Sequence, residues 1–190
     1  QLAGFGVSYL ARLKEANSRF YAQVIGEDEA GNLPSCNMVL LGNEIEFPKS
    51  KLFSKLGFEF TDTRIDSTRN NYCGPNTAYN NEIYSYTNYG KTLGSSINTE
   101  GKSFNIWFTK RISERININF SMKDITINDN SWSDHPLSSS KVNGLQANIE
   151  TSLYLNSYII TSDLSYQNFS LDKANYKEGF NLRLRTEYTF

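Results

Sequence analysis

Apolar and polar side chains alternate along much of this chain, most cleanly at its end, Phe180-Asn181-Leu182-Arg183-Leu184-Arg185-Thr186-Glu187-Tyr188-Thr189-Phe190. Successive side chains of a strand point to opposite faces, so Phe180, Leu182, Leu184, Tyr188 and Phe190 share one surface, and Asn181, Arg183, Arg185 and Glu187 share the other. Rings and leucines on one side with charges on the other predict a sheet standing between hydrocarbon and water, as in the closing strand of a transmembrane β-barrel. The same period runs through Ile116-Asn117-Ile118-Asn119-Phe120-Ser121-Met122-Lys123 and Leu145-Gln146-Ala147-Asn148-Ile149-Glu150, whereas Met38-Val39-Leu40-Leu41 looks apolar on both faces. Strands are expected over residues 2–11, 20–26, 38–45, 52–62, 103–111, 115–125, 142–153, 157–169 and 178–190, about nine in all.

The links between these strands are sorted by length. Counted back from the carboxyl end, a longer link at 170–177 is followed by a tight one near Asn156, then 126–141, 112–114, 63–102, 46–51 and 27–37 in long and short alternation, with 12–19 fitting least well. Bacterial outer-membrane barrels have this asymmetry, with brief periplasmic turns and extended extracellular loops. The fold expected is therefore all-β, an antiparallel transmembrane β-barrel with the carboxyl terminus on the periplasmic side. Single-chain barrels have an even number of strands, and an unpaired edge in lipid costs several kcal/mol per backbone group. An odd count thus points to about half of a barrel with roughly eighteen strands. The first residues, Gln1-Leu2-Ala3-Gly4-Phe5-Gly6-Val7, already read as a strand without an initiating Met or a basic leader. Residues 1–190 are accordingly expected to be the carboxyl-terminal part of one barrel domain whose amino-terminal part is missing.

Composition agrees with a wall that is wet on one side. Only 38% of the 190 residues are hydrophobic and mean hydropathy is -0.51, yet aromatics reach 14%. Hydrated loops and lumen lower the apolar fraction, and aromatic girdles raise the ring content. A formal charge of -1 excludes a chain-wide basic field for nucleic acid. Without an apolar run near the ~18 residues of a transmembrane helix, the membrane must be crossed by a closed sheet.

The stretch 63–102 is too long for a structureless link inside a compact soluble domain. In it Tyr72, Tyr79, Tyr84, Tyr86 and Tyr89 stand among Asn70, Asn71, Asn80, Asn81 and Asn88. Flat rings stack on sugar faces and amides pair with hydroxyls, so a carbohydrate-contacting surface is expected there; a self-packed loop is the plainer alternative. A second candidate is Gly26-Glu27-Asp28-Glu29-Ala30-Gly31-Asn32-Leu33-Pro34-Ser35, three acids at the top of a strand before a turn. Glu27, Asp28 and Glu29 suit a calcium site, a sugar-hydroxyl acceptor cluster, or ion pairs with Arg64, Arg183 or Arg185. Ion pairs are preferred to metal, because adjacent strand residues point apart and cannot share one chelate.

That acidic run resembles the Wzi family of outer-membrane capsule assembly proteins. Phe58-Glu59-Phe60-Thr61-Asp62-Thr63-Arg64, the Leu93-Gly94 pair and the closing aromatic strand extend the similarity in order along essentially the whole chain. Asn32 and Cys36 depart from the family pattern, which tends to Gly and Lys there. The resemblance implies an eighteen-stranded barrel, a periplasmic helical bundle that this chain lacks, and a lectin-like role in holding or organising capsular polysaccharide. It carries over no catalytic residue.

Cys36 and Cys73 both fall on the long-loop end, an oxidising location in this topology, and a disulfide between them is expected, with two free thiols as the alternative. His135, the sole histidine, lies beside Asp134 and near Ser131 and Ser133. One polar loop cannot hold such neighbours in a rigid relay without support, so an outer-membrane hydrolase is the weakest reading. Trp107 and Trp132 read as interface anchors or ring platforms; Trp107 lies on the polar-facing side of its strand, where packing in the lumen is expected.

These observations lead to a non-enzymatic protein of the bacterial outer membrane, long loops extracellular, without metal or cofactor. Its expected polysaccharide contacts are Tyr72, Tyr79, Tyr84, Tyr86, Tyr89 and Trp132, with Glu27, Asp28 and Glu29 as acceptors. Its other expected partners are outer-membrane lipid, lipopolysaccharide and the barrel assembly machinery, the last reading the strand that ends at Phe190. A porin-like channel lined by Arg183, Arg185, Glu150, Glu187 and Lys123 is the runner-up.

Overall fold

The computed structural model describes residues 3–30, 33–50, 53–65, 73–74, 79, 87–88, 91–92, 95–174 and 176–188, with backbone only at 27–30, 33–35, 87–88 and 91–92. Eleven strands follow in chain order: β1 (Ala3–Arg12), β2 (Asn17–Ala30), β3 (Leu33–Glu46), β4 (Lys55–Asp62), β5 (Thr87–Asn88), β6 (Lys91–Thr92), β7 (Lys102–Arg111), β8 (Ile116–Ile127), β9 (Val142–Leu155), β10 (Tyr158–Gln167) and β11 (Gly179–Tyr188). β5 and β6 form a separate two-stranded hairpin inside the long link. The other nine make one antiparallel sheet in the order β1-β2-β3-β4-β7-β8-β9-β10-β11. Each strand pairs with its sequence neighbours, so the sheet is a meander with β1 and β11 at its two edges, and it is not closed.

Register makes the two faces explicit, because cross-strand partners lie on the same side of a sheet. One row reads Leu56, Phe108, Phe120, Ile149, Leu164 and Leu182 across six strands, apolar throughout. The row one residue along reads Gly57, Trp107, Ser121, Asn148, Ser165 and Asn181. Apolar side chains on the first face are left open, with Phe180 at 78%, Leu184 at 71% and Phe5 at 64% exposure. A water-soluble sheet buries that face; one facing acyl chains leaves it bare. The polar face is tied by side-chain bonds: Thr109 Oγ1 to Asn119 Oδ1 at 2.8 Å, Asn119 Nδ2 to Glu150 Oε1 at 2.9 Å, and Asn148 Nδ2 to Asp163 Oδ2 at 3.0 Å.

Two glycines on that polar face make room for rings. A Cβ on Gly57 would stand 2.1 Å from the Trp107 ring, and one on Gly42 would stand 2.1 Å from that of Tyr21. Trp107 therefore packs on the polar face, where its position in the alternation puts it.

The link at 27–37 is corrected by the structure. Residues 27–30 continue β2 and 33–35 open β3, paired through Asp28 with Ser35, so the two strands run on where the sequence reads as a loop. Acids and a Pro are poor strand signals, and pairing across the hairpin overrides them. The intermediate link at 12–19 is likewise shorter, closed by Leu13 N–H donating to Ala16 O at 2.8 Å. With both changes, the connections after β1, β3, β7 and β9 lie at one end, and the three long links after β4, β8 and β10 lie at the other.

Candidate functional site

The three long links interlock at their common end. Thr63 N–H donates to Gly101 O at 2.8 Å and Glu100 N–H to Thr63 O at 3.1 Å, zipping the stem of the β4–β7 link. Asp129 N–H donates to Glu100 O at 2.8 Å, joining that stem to the β8–β9 link. Asn128, fully buried with φ 54°, donates its amide to Trp132 O and Ser138 O and accepts from Trp132 N–H, which shapes the turn. The β10–β11 link is held by Asp172, which accepts from the Ser139 hydroxyl at 2.5 Å; that bond holds its carboxyl down to about 2. Beneath lie Ile97, Ile125, Ile127, Phe169 and Leu171, an apolar cluster on the inner wall.

Charge around this cap is paired. Arg64 bonds Asp62 at 2.6 Å and Asp129 at 3.0 Å, and Asp129 also meets Lys141 at 2.5 Å, so the Lys141 and Arg64 bonds hold the Asp129 carboxyl below its usual range. Glu100 is fully buried, accepting from Ile65 N–H at 3.3 Å and the Asn130 amide at 2.6 Å. Loss of hydration raises its pKa.

His135 is fully buried. Its Nδ1 accepts from the N–H groups of Leu137 and Ser138 at 3.2 and 3.4 Å. Nε2 lies 2.9 Å from Thr99 O and, Nδ1 being the acceptor, must carry the proton and donate. Burial lowers its pKa and favours the neutral ring. Both nitrogens being committed to backbone, the imidazole holds the loop together and is not presented to a substrate.

A cavity of about 350 Å³ opens on the polar face beneath the β4–β7 link. Strands contribute polar Gln23, Glu59, Thr61, Ser103 and Lys123 and apolar Ile25, Met38, Val39 and Leu40; the link contributes Thr63, Tyr79, Ser95 and Ser96. Ser95 N–H donates to the Tyr79 hydroxyl at 3.2 Å, and Tyr79 also packs against the buried cluster of Cys36, Met38 and Ile65. Glu59 Oε2 accepts from the Tyr21 hydroxyl at 3.0 Å. Hydroxyls, an amide, a ring and one charge of each sign can hydrogen-bond and stack against a polyol.

Cys36 and Cys73 are joined by a disulfide with Cα atoms 5.6 Å apart, fastening the β4–β7 link to the inner end of β3. Of the expected sugar-contacting rings, Tyr79 borders the cavity. Trp132 does not; its ring stands edge-on to His135 at 6.4 Å. Tyr72, Tyr84, Tyr86, Tyr89 and Phe190 lie outside the described residues, as do the side chains of Glu27, Asp28 and Glu29. Arg64 pairs with Asp62 and Asp129, and Arg185 with Glu187 at 3.0 Å. Gln23, Glu59, Thr61 and Ser103 are missed by the sequence reading. Alternation puts them on the wet face, but nothing local says which part of that face is roofed.

A search of curated proteins found no match. Among solved structures, the chain is similar to Wzi, an outer membrane protein involved in group 1 capsule assembly in Escherichia coli and a carbohydrate-binding β-barrel, at 22% identity and a TM-score of 0.62. The match covers 91% of this chain and 38% of that one, so the chain spans well under half the length of that structure. At such identity the likeness establishes the fold. The family model for capsule assembly protein Wzi matches residues 1–181, nearly the whole sheet, and the chain belongs to that family.

Proposed function

We propose that this chain forms part of a larger closed barrel in the bacterial outer membrane and binds capsular polysaccharide noncovalently, organising it at the cell surface. The observation that carries the reading is a ring-bordered cavity of mixed polar and apolar lining beneath the long link, on one face of a sheet whose other face carries an apolar row across six strands. Among the described residues β1 and β11 each pair with one strand, which supports a larger barrel, since open edges are not stable in hydrocarbon. Long links at one end support an extracellular rim, with the short turns and the end of β11 periplasmic. The outer face meets lipid and lipopolysaccharide. Tyr79, together with Tyr72, Tyr84, Tyr86, Tyr89 and Trp132, supplies ring surface, Glu27, Asp28 and Glu29 supply acceptors, and no bond is made or broken.

Changing the loop tyrosines to Ala in the full-length protein tests this. Cell-associated capsule is expected to fall several-fold while heat-modifiable migration, the mark of an assembled barrel, is kept. Normal capsule retention by the assembled variant rejects the assignment. A porin-like channel is the second reading, favoured by the polar row Lys55, Thr109, Asn119, Glu150, Asp163 and Arg183. The disulfide and Tyr79, which pin the link against the inner wall, favour a plugged lumen; steady conductance in planar bilayers decides for the channel.

A further inference from the structure

The short connections, at the end of the sheet away from the cavity, share a composition that polysaccharide binding does not use. The column down the apolar face of β7 reads Phe104, Ile106, Phe108 and then Lys110, whose cross-strand partner is Ile118. Beyond it stand exposed Arg111, Ile112 and Arg115. The β1–β2 turn presents Leu13, 62% exposed, beside exposed Lys14, and exposed Lys49 stands in the β3–β4 link. Glu15 and Glu114 are the exposed acids of these connections among the described residues, whereas Lys55 nearby is already held by Glu46 at 2.7 Å.

Exposed apolar side chains beside cations, where an apolar face ends, suit the level at which hydrocarbon meets headgroups. The apolar parts enter the acyl region, and long Lys and Arg stems reach back to the charged layer. Tyr158 and Tyr188, ring centroids 5.1 Å apart at the same ends of β10 and β11, are side chains favoured at that level. The opposite margin differs in sign. There the apolar face ends on Lys102, paired across strands with Asp62, and on Asp124 beside Phe104, so its charge is mixed. We propose that the short-turn margin binds anionic phospholipid, the headgroup phosphate lying among Lys14, Lys49, Lys110, Arg111 and Arg115. The assignment rests on the membrane placement proposed above and adds the headgroup chemistry that this margin selects.

The full-length protein is reconstituted in phosphatidylcholine bilayers with trace spin-labelled phosphatidylglycerol or spin-labelled phosphatidylcholine. Electron paramagnetic resonance then reads the fraction of each label immobilised at the protein. A lipid site within reach of one of these cations gains about fivefold for the anionic headgroup. Averaged over the perimeter, wild type is expected to prefer phosphatidylglycerol about twofold or more, the preference fading at ~1 M salt. Changing Lys14, Lys49, Lys110, Arg111 and Arg115 to Gln is expected to abolish the preference. Changing Lys102, Lys173 and Lys177 to Gln, at the long-link end, is expected to keep it, with heat-modifiable migration reporting assembly of each variant. Equal immobilisation of the two lipids by wild type, a comparison that needs no variant, overturns the assignment and leaves the membrane barrel standing. A preference that survives the short-turn changes, or that is lost with the long-link ones, also overturns it. No immobilised label of either kind overturns the membrane placement as well.

Discussion

His135 and Gly57 show how much of this molecule depends on single side chains. His135 links three backbone groups of two connections through one neutral ring, so His135→Ala is expected to cost about 2–3 kcal/mol of local stability, read as lost hydrogen-exchange protection at residues 128–141. Its pKa is lowered in the folded state, so the unfolded loop takes up a proton first. Its contribution is therefore fully present above the ordinary value of about 6.5 and declines as pH falls below it. Proteolysis of the loops should speed up between neutral pH and mildly acid pH, and that step should vanish in His135→Gln. Gly57 acts by absence: a side chain there meets the Trp107 ring at 2.1 Å. Gly57→Val is expected to destabilise the wall by about 1–3 kcal/mol through overpacking, seen as a lower urea midpoint. The glycine itself is visible in the sequence, but the ring over it comes from its partner strand β7, far along the chain and beyond any local signal.

Strands were legible where one face meets a uniform medium and less so where both faces meet protein. The period through Ile116 to Lys123 reads correctly because one face of the sheet is apolar and the other polar along those residues. Met38-Val39-Leu40-Leu41 blurs for a physical reason: Val39 and Leu41 face outward, while Met38 is buried under the long link with Cys36 and Ile65. The acidic extension of β2 was read as loop because pairing with β3, a tertiary effect, outweighs local propensity there. The Cys36–Cys73 bond closes a separation of 37 residues, for which chain entropy gives about 4 kcal/mol of stabilisation. Under reducing conditions, or in a Cys36→Ser, Cys73→Ser double variant, the β4–β7 link is expected to become protease-sensitive while the nine-stranded sheet survives. Free-thiol labelling of the unreduced protein should detect no reactive group; two reactive groups exclude the bond.

At the level of the entire wall, stability comes from division of solvent more than from a central core. Among the described residues no protein layer covers the apolar row through Phe120 and Ile149, and the proposed membrane placement would supply its burial from lipid. Ile149→Arg is expected to cost about 2–4 kcal/mol in bilayer refolding, whereas a polar change at its inward neighbour Asn148 should cost far less. Equal losses at the two positions, measured by urea titration in liposomes, are incompatible with an outward lipid face. The proposed larger barrel belongs to the same scale: among the described residues β1 and β11 each pair with one strand, and in hydrocarbon an open edge leaves backbone groups without partners.

Most strands, their two faces and the long links after β4, β8 and β10 were written in local order, because a two-residue period and loop length are properties of consecutive residues; the run of β2 into β3 was not, since pairing across the hairpin decides it. The family resemblance was carried by one short acidic run for the same reason. Which loops meet, that His135 is sealed in backbone, that Cys36 reaches Cys73, and that Lys123 stands in a roofed cavity were settled only by tertiary structure. Each depends on residues brought together from distant links and strands, and one chain's order of polar and apolar positions holds no record of that distance.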